Sequence, residues 1–301
     1  MERIFVSNNE TIWNPSRLSG KCGAVPKSFE LRHLSMLVAG IDVGAATAKA
    51  VILNENGICS SAIMPTGFDV VEVSRDVMES ALDGCGSAMK DLEFIISTGY
   101  ARNAIPFANG AVTEIICHAK GAHFLMPDVR TVIDIGGQDS KVIRVDETGD
   151  VVDFVMNDKC AAGTGRFFEV MAGVLKLDIA EMGPMSLQSE KPSQISSTCT
   201  VFAETEMVSL RARGERREDI LAGIHKAAAL RIVSMGRNVG FRKEVMLSGG
   251  VSKNTGIKRF LKDKIGMEIV IPQEPQIVGA LGAALIADAE LRRTEDQTLN
   301  L

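Results

Sequence analysis

The chain has no apolar run approaching the roughly 18 residues that a membrane-spanning helix needs; the longest candidates, such as Gly279 to Ala287, reach nine. It has no excess of positive charge, since 33 basic side chains face 38 acidic ones for a formal charge of −5, and neither sign gathers in a block. A nucleic-acid backbone would find no basic face here. The six cysteines (Cys22, Cys59, Cys85, Cys117, Cys160, Cys199) lie 26 to 43 residues apart with no C-x-x-C pair, which excludes a zinc ribbon and a bacterial-type ferredoxin run. The first 36 residues lack the continuous apolar core of a secretory signal. Neither membrane nor nucleic acid is expected as a partner, and the cytoplasm is the expected location.

What is there points to a folded α/β protein. A chain of 301 residues, 46% apolar and 24% charged, has material for about two domains with a core each. An internal repeat marks them. Residues 40–57 read GIDVGAATAKAVILNENG and residues 132–149 read VIDIGGQDSKVIRVDETG. Aligned at Asp42 and Asp134, both copies carry Gly at offset two, Lys at offset seven and Gly at offset fifteen. Each is an apolar run, an Asp-x-Gly turn and a second β-rich run, so each predicts a β-hairpin. Helical spacing is expected over Asp69 to Met89, Thr113 to Phe124, Phe167 to Leu175, Ala203 to Leu210, Asp219 to Val239 and Gly279 to Arg293. Short strands are expected at Phe94 to Ser97, Ile195 to Thr198 and Val245 to Leu247.

Three turns suit a nucleotide. Glycine in an Asp-x-Gly turn removes the Cβ that would keep a phosphate from the backbone N–H groups, and the carboxylate beside it can hold a magnesium ion through water. Two such turns in a duplicated fold would face each other across a cleft. The third is Leu247-Ser-Gly-Gly-Val-Ser-Lys-Asn254, where paired glycines after a strand let a ring or ribose pack on backbone. The trio resembles the signature of the actin, Hsp70 and sugar-kinase superfamily. That resemblance implies two ribonuclease-H-like domains with ATP between them.

Two cysteines have special settings. Cys160 precedes the small-residue turn Ala-Ala-Gly-Thr-Gly, and Cys199 follows Ile195-Ser-Ser-Thr; both are expected between a strand and a helix, with the Cys160 sulfur at a helix N-terminus that favours thiolate. A cubane iron–sulfur cluster takes four thiolates, so two such chains on a two-fold axis would supply them. Cys-Ala-Ala-Gly-Thr-Gly-Arg-Phe, Ser-Ser-Thr-Cys-Thr-Val-Phe-Ala-Glu, Val-Ile-Asp-Ile-Gly-Gly-Gln-Asp, Ala-Gly-Ile-His and Gly-Ala-Leu-Gly-Ala-Ala resemble the activator components of 2-hydroxyacyl-CoA dehydratases, in the family that also holds the ATP-binding subunits of benzoyl-CoA reductase.

The resemblance runs from about Leu37 to Ala289. It implies a homodimer with one bridging 4Fe-4S cluster, ATP or ADP with Mg2+ in each subunit, and ATP-driven delivery of one electron to a 2-hydroxyacyl-CoA dehydratase or CoA-ester reductase. Ferredoxin or flavodoxin is the implied reductant. Cys160 and Cys199 become cluster ligands. Asp42, Gly44, Asp134, Gly136 and Gly137 fall at phosphate and magnesium, with Ala45, Ala46 and Thr47 completing the first turn. Gly249, Gly250 and Asn254 fall near the nucleoside, and Gln138 or Asp139 positions the attacking water.

The implied division is 37–130 with 275–301 as the first domain and 131–274 as the second, residues 1–36 being a disordered extension or an overlong start before Met36. Relatives usually carry small hydroxyl residues where this chain has Ala45 and Ala46, so weaker ATP binding is expected. Lys49 and Lys141 read as outward-pointing strand residues, His118 and His225 as packing or surface residues, and Cys59, Cys85 and Cys117 as parts of the fold. The competing reading is a small-molecule kinase of the same superfamily, although no sugar-binding cluster is evident. A third is a nucleotide-gated interaction module whose cysteines are structural.

Overall fold

The computed structural model describes residues 36–196 and 199–299; Cys22 and the proposed extension lie outside them. Strand β1 (Leu37–Val43) turns at the first Asp-x-Gly into β2 (Thr47–Asn54), and β3 (Gly57–Pro65) follows. Helix α1 (Val70–Cys85) starts where the Asp69 carboxylate accepts hydrogen bonds from the amides of Val71 and Glu72, each at 3.0 Å. It stops four residues short of Met89 because Gly86, at φ 68°, takes the left-handed conformation that closes a helix. Strands β4 (Leu92–Thr98) and β5 (Gly110–Ala111) and helix α2 (Glu114–Leu125) complete the first half.

The second repeat builds β6 (Thr131–Ile135), β7 (Ser140–Val145) and β8 (Val151–Asn157). Helices α3 (Gly165–Leu175), α4 (Ile179–Ser186), α5 (Thr200–Ala212) and α6 (Arg217–Gly236) follow. Then come β9 (Val245–Ser248), a 3-10 turn at Gly250–Lys253, α7 (Thr255–Ile265), β10 (Ile269–Val270) and α8 (Val278–Leu299). The first sheet runs β3-β2-β1-β4-β5 and the second, read in the same sense, β8-β7-β6-β9-β10. The two orders are identical. Asp42 pairs with Lys49 across the first hairpin and Asp134 with Lys141 across the second, so the repeat seen in the sequence is a repeat in register.

Packing follows from side-chain size. The hairpin strands carry Ile41, Ile52, Ile133 and Ile143 fully buried, each contributing about 1.5–3 kcal/mol over an exposed position. Helix α8 returns to cover β1, β2 and β4, and it packs closely on α2 where glycines meet backbone. A Cβ at Gly282 would stand 1.7 Å from the Cys117 carbonyl oxygen, and one at Gly121 would stand 2.1 Å from that of Val278. Helices α3, α5, α6 and α7 enclose the larger second core around Phe168, Met171, Met207 and Leu221.

The segment before α5 and helix α4 also depart from the sequence expectation. Ile195 and Ser196 are not in a strand, and the rest of that segment lies outside the described residues. Helix α4 was not anticipated, although Asp178 and Glu181 form a capping box at its start.

Candidate functional site

The two hairpin tips are built alike. Gly44 N–H donates to the Thr47 carbonyl at 3.1 Å, and Gly136 N–H donates to the Asp139 carbonyl at 3.0 Å. They also meet, since a Cβ at Gly137 would lie 2.5 Å from that of Ala46. Each tip is braced from behind, but differently. On the first, Thr66 gives its hydroxyl to the Gly44 carbonyl at 2.7 Å and its amide to the Ala46 carbonyl at 3.0 Å. On the second, the opening residues of α3 do the bracing: Gly165 N–H donates to the Gly136 carbonyl at 2.9 Å and Arg166 N–H to that of Gly137 at 2.8 Å.

Ala45 and Ala46 are both exposed on the first tip and offer no hydroxyl. The double change Ala45→Ser with Ala46→Thr is therefore expected to tighten nucleotide binding several-fold in a titration, and an unchanged Kd would refute the idea that these alanines weaken the grip.

Behind the tips lie the two repeat carboxylates. Asp42 is buried and accepts from Lys49 Nζ at 3.1 Å. Asp134 is 3% exposed and accepts from three donors: Ser248 Oγ at 2.9 Å, Lys141 Nζ at 3.3 Å and His118 Nε2 at 3.2 Å. Burial works against its ionisation, but the charges of His118 and Lys141 outweigh that and hold the carboxyl far below the usual range. Lys141 is itself buried and also binds Asp139 at 2.7 Å, and burial notwithstanding, the two carboxylates keep its pKa raised. The expectation that Lys49 and Lys141 point outward is thus corrected. Both turn inward because the strand partner facing each is an acid. Gln138, between the tip glycines and Asp139, is exposed.

His118 is the site residue that the sequence reading missed. It sits on α2, and its Nδ1–H donates to the Glu114 carbonyl one turn back at 2.8 Å. With that nitrogen protonated, Nε2 can donate to Asp134 only as imidazolium. Burial pushes the His118 pKa down, yet the Asp134 charge and hydrogen bond more than reverse this and raise it. His118 thereby ties α2, which packs against α8 on one side and the second sheet on the other, to the buried hairpin carboxylate of that sheet. A lone histidine on a helix gives no sequence signal of this; only the spacing Glu114 to His118, one helical turn, hints that the ring is braced.

The paired glycines lie beside the same carboxylate. Gly249 has φ 83°, and a Cβ there would meet the Ile135 carbonyl at 2.3 Å and Asp134 Oδ1 at 2.9 Å, so only glycine fits. Gly250 opens the 3-10 turn. Asn254 caps α7: its carboxamide oxygen accepts from the amides of Gly256 at 2.9 Å and Ile257 at 3.3 Å, and His225 Nε2 lies 3.0 Å from it. His225 is buried between Phe168 and Phe260, the packing residue it was expected to be.

Cys160 is half-buried and Cys199 exposed. Cys199 is the N-cap of α5, at the start of a helix as expected. Cys160 is not at such a start. Helix α3 has Thr164 as N-cap, and its first amides serve the hairpin carbonyls. Cys160 sits instead in the loop before it, where the Asn157 side chain donates to the Cys160 carbonyl at 2.7 Å and accepts from its amide at 3.3 Å. Among the described residues of one chain, no three His, Cys, Asp or Glu side chains form a metal-holding group.

Two sheets of one topology, apposed glycine turns and a carboxylate behind each define an ATP-cleft protein of the actin, Hsp70 and sugar-kinase superfamily. Within it, the chain belongs to the BadF/BadG/BcrA/BcrD ATPase family, which matches residues 39–287. It is 42% identical over 267 residues to the 2-hydroxyisocaproyl-CoA dehydratase activator of Clostridioides difficile, covering 88% of this chain and all of that one. Among solved structures it superposes on component A of the Acidaminococcus fermentans (R)-2-hydroxyglutaryl-CoA dehydratase with a TM-score of 0.83 at 40% identity, covering 86% of this chain and 100% of that one. The activator of the 2-hydroxyisocaproyl-CoA dehydratase from Clostridium difficile, solved with bound ADPNP, gives a TM-score of 0.82 at 41% identity, covering 87% of this chain and 98% of that one. The protein is an ATPase of the activator type. No helix among the described residues is long and apolar enough to cross a membrane.

Proposed function

We propose that this ATPase couples ATP hydrolysis to one-electron transfer into a 2-hydroxyacyl-CoA dehydratase or a related CoA-ester reductase, with ferredoxin or flavodoxin as its own reductant. The reading rests on one observation: the phosphate-end turn and the cysteine loop share helix α3. Gly165 and Arg166 hold the carbonyls of Gly136 and Gly137, and Cys160 stands in the loop that leads into the same helix. A change at the tip is thus passed through two backbone hydrogen bonds to the start of α3, five residues along the chain from Cys160.

The amides of both tips bind the phosphates, and Asp42 and Asp134 hold the water shell of a magnesium ion. Gln138 positions the attacking water in preference to Asp139, whose carboxylate is engaged by Lys141. Gly249 and Gly250 lie against the nucleoside, and Asn254 fixes the start of α7 beside it. The halves 37–130 with 275–301 and 131–274 close on the nucleotide as two bodies. Cys160 and Cys199 are two sulfurs where a cubane cluster takes four, so a homodimer is required. Val201, Phe202 and Val208 leave apolar side chains of α5 exposed at 67%, 67% and 54%, which suits a second copy meeting this one at the helix that Cys199 caps. A 4Fe-4S cluster held there would supply the one-electron chemistry.

Oxygen-free purification tests the reading. Brown protein with about four irons per dimer is the expected result. Colourless protein that turns over ATP only with an added acceptor would indicate a kinase, and a metal-free monomer after reconstitution would overturn the proposal.

A further inference from the structure

The motif Ala222-Gly-Ile-His225 on α6 takes no part in the phosphate turns or the cysteine loop. His225 is fully buried, yet each of its ring nitrogens meets an oxygen that can only accept. Nδ1 lies 2.7 Å from the Leu221 carbonyl oxygen, one turn back on α6, and Nε2 lies 3.0 Å from Asn254 Oδ1. That atom of Asn254 is fixed as the oxygen because it also accepts from the backbone amides of Gly256 at 2.9 Å and Ile257 at 3.3 Å. A neutral imidazole carries one N–H and serves one of the two oxygens, leaving a lone pair against a lone pair at the other. An imidazolium serves both.

The surroundings hold ring and carboxamide together. A Cβ at Gly256 would stand 2.7 Å from the His225 ring, and one at Gly183, on α4, would stand 2.6 Å from Asn254 Oδ1, so backbone closes on both groups with no side chain between. Phe168 of α3 and Phe260 of α7 flank the ring with centroids at 5.1 and 6.1 Å, and aromatic faces at about that distance favour a cation. Among the described residues, none of the elements packed on α6 (α4, α5, α7, β7 and β8) sets a titratable or charged side chain against the ring. Its neighbours are Leu221, Asn254, Gly256 and the two phenylalanines.

We propose that His225 is a positioning residue for nucleotide binding: as imidazolium it holds the Asn254 carboxamide by its oxygen and leaves the Nδ2 hydrogens as the end offered to the nucleoside. The role rests on the placement of Asn254 beside the nucleoside. With Oδ1 engaged by three donors, no acceptor among the described residues takes the Nδ2 hydrogens, and they are a donor pair suited to a ribose oxygen or a ring nitrogen of the base. Burial lowers the His225 pKa, against the pull of the bonds to Leu221 and Asn254. The second proton is therefore held in acid and lost as the pH rises through a value below the ordinary one of about 6.5. Nucleotide affinity that depends on this arrangement is complete in acid and declines as the proton leaves.

The test titrates ADP into the full-length protein and into His225→Gln between about pH 5.5 and about pH 8, a range that spans the ordinary imidazole value. Glutamine donates an N–H to Asn254 Oδ1 at any pH, so dividing one Kd by the other cancels the titration of the ADP phosphates and of every group the two proteins share. The Kd of the unsubstituted protein, relative to that of the variant, is expected to rise several-fold from the acid end to the alkaline end. A flat ratio would overturn the proposal. So would ring 15N shifts of a neutral imidazole for His225 in the unsubstituted protein at the lowest pH, a measurement that needs neither a variant nor nucleotide. Asn254→Ala separates this role from the placement beneath it. An unchanged Kd there would remove Asn254 from the nucleoside and the role with it, whereas a weakened Asn254→Ala beside a flat His225→Gln ratio would overturn the role of His225 alone.

Discussion

Cys160→Ala is expected to lower bound iron from about four atoms per dimer to background, and Cys199→Ala to do the same, while each variant still binds nucleotide. The separation is expected because neither thiol supports the ATP fold. Cys160 is fixed through its backbone by Asn157, at 2.7 and 3.3 Å, and an alanine keeps both bonds. Cys199 caps α5 by position alone, with no side-chain hydrogen bond to the helix, so its removal forfeits no cap. The tips, the carboxylates and the Gly-Gly turn are untouched by either change. Iron analysis beside nucleotide titration reads both halves of the expectation. Stoichiometric iron in either variant would remove that cysteine from the ligand set, and loss of nucleotide binding would mean that the loop supports the cleft after all.

Asp134→Asn is expected to cut ATP hydrolysis by at least about a hundred-fold, the order seen when a group that organises transition-state charge is lost. The same change should cost about 3–5 kcal/mol of stability, the usual penalty for deleting one member of a buried charged cluster, because Lys141 and His118 are left buried without their shared carboxylate. The two sides of the cluster have opposite pH signatures. Asp134 has a lowered folded pKa, so its contribution is present above the unfolded carboxyl value near about 4 and is lost as the pH falls through the lowered one. His118 has a raised folded pKa, so its contribution is complete below about 6.5 and is lost as the pH rises through the raised value. The stability gap between the unsubstituted protein and His118→Gln, measured by urea unfolding, should accordingly be widest near pH 6 and narrow in alkali. A gap flat across that range would mean that His118 is neutral in the fold.

The parts of this molecule that were legible in the sequence are those whose cause is local or repeated. The hairpins were readable because Asp, Gly and Lys recur at fixed offsets and because alternation along a strand is a short-range property; the shared sheet order then follows from duplication. Helices α1, α6 and α8 announced themselves by spacing, and their ends missed by a few residues where a single glycine such as Gly86 set the stop. Helix α4 has a capping box in Asp178 and Glu181, but Pro184 interrupts the apolar pattern that would mark it as a helix. The strand expected at Ile195 came from β-branched composition, whereas the Ser196 amide there donates to the Glu206 carboxylate. What could not be read was anything decided by tertiary contact or by strand register. His118 lies 16 residues from Asp134 in sequence, and nothing near either names the other. Lys49 and Lys141 turned inward because of the register of a strand pair, and Cys160 lost its helix start because two amides found better acceptors in Gly136 and Gly137.

The crossing of α2 and α8 has a mechanical consequence. With glycine set against backbone at Gly121 and Gly282, these two rods cannot slide without colliding, so they travel as a single piece with the first sheet. Any swing between the halves must be taken up on the opposite side of α2, where Ile115, Ala119, Ala122 and Met126 rest on Val132, Ile143 and Met246. That seam is greasy and smooth, and it is pinned by His118 to Asp134 at one position and by Lys120 to Asp150, at 2.8 Å, at another. The seam thus has two rivets, one sealed from water and one open to it, and salt in the medium should loosen the outer one first.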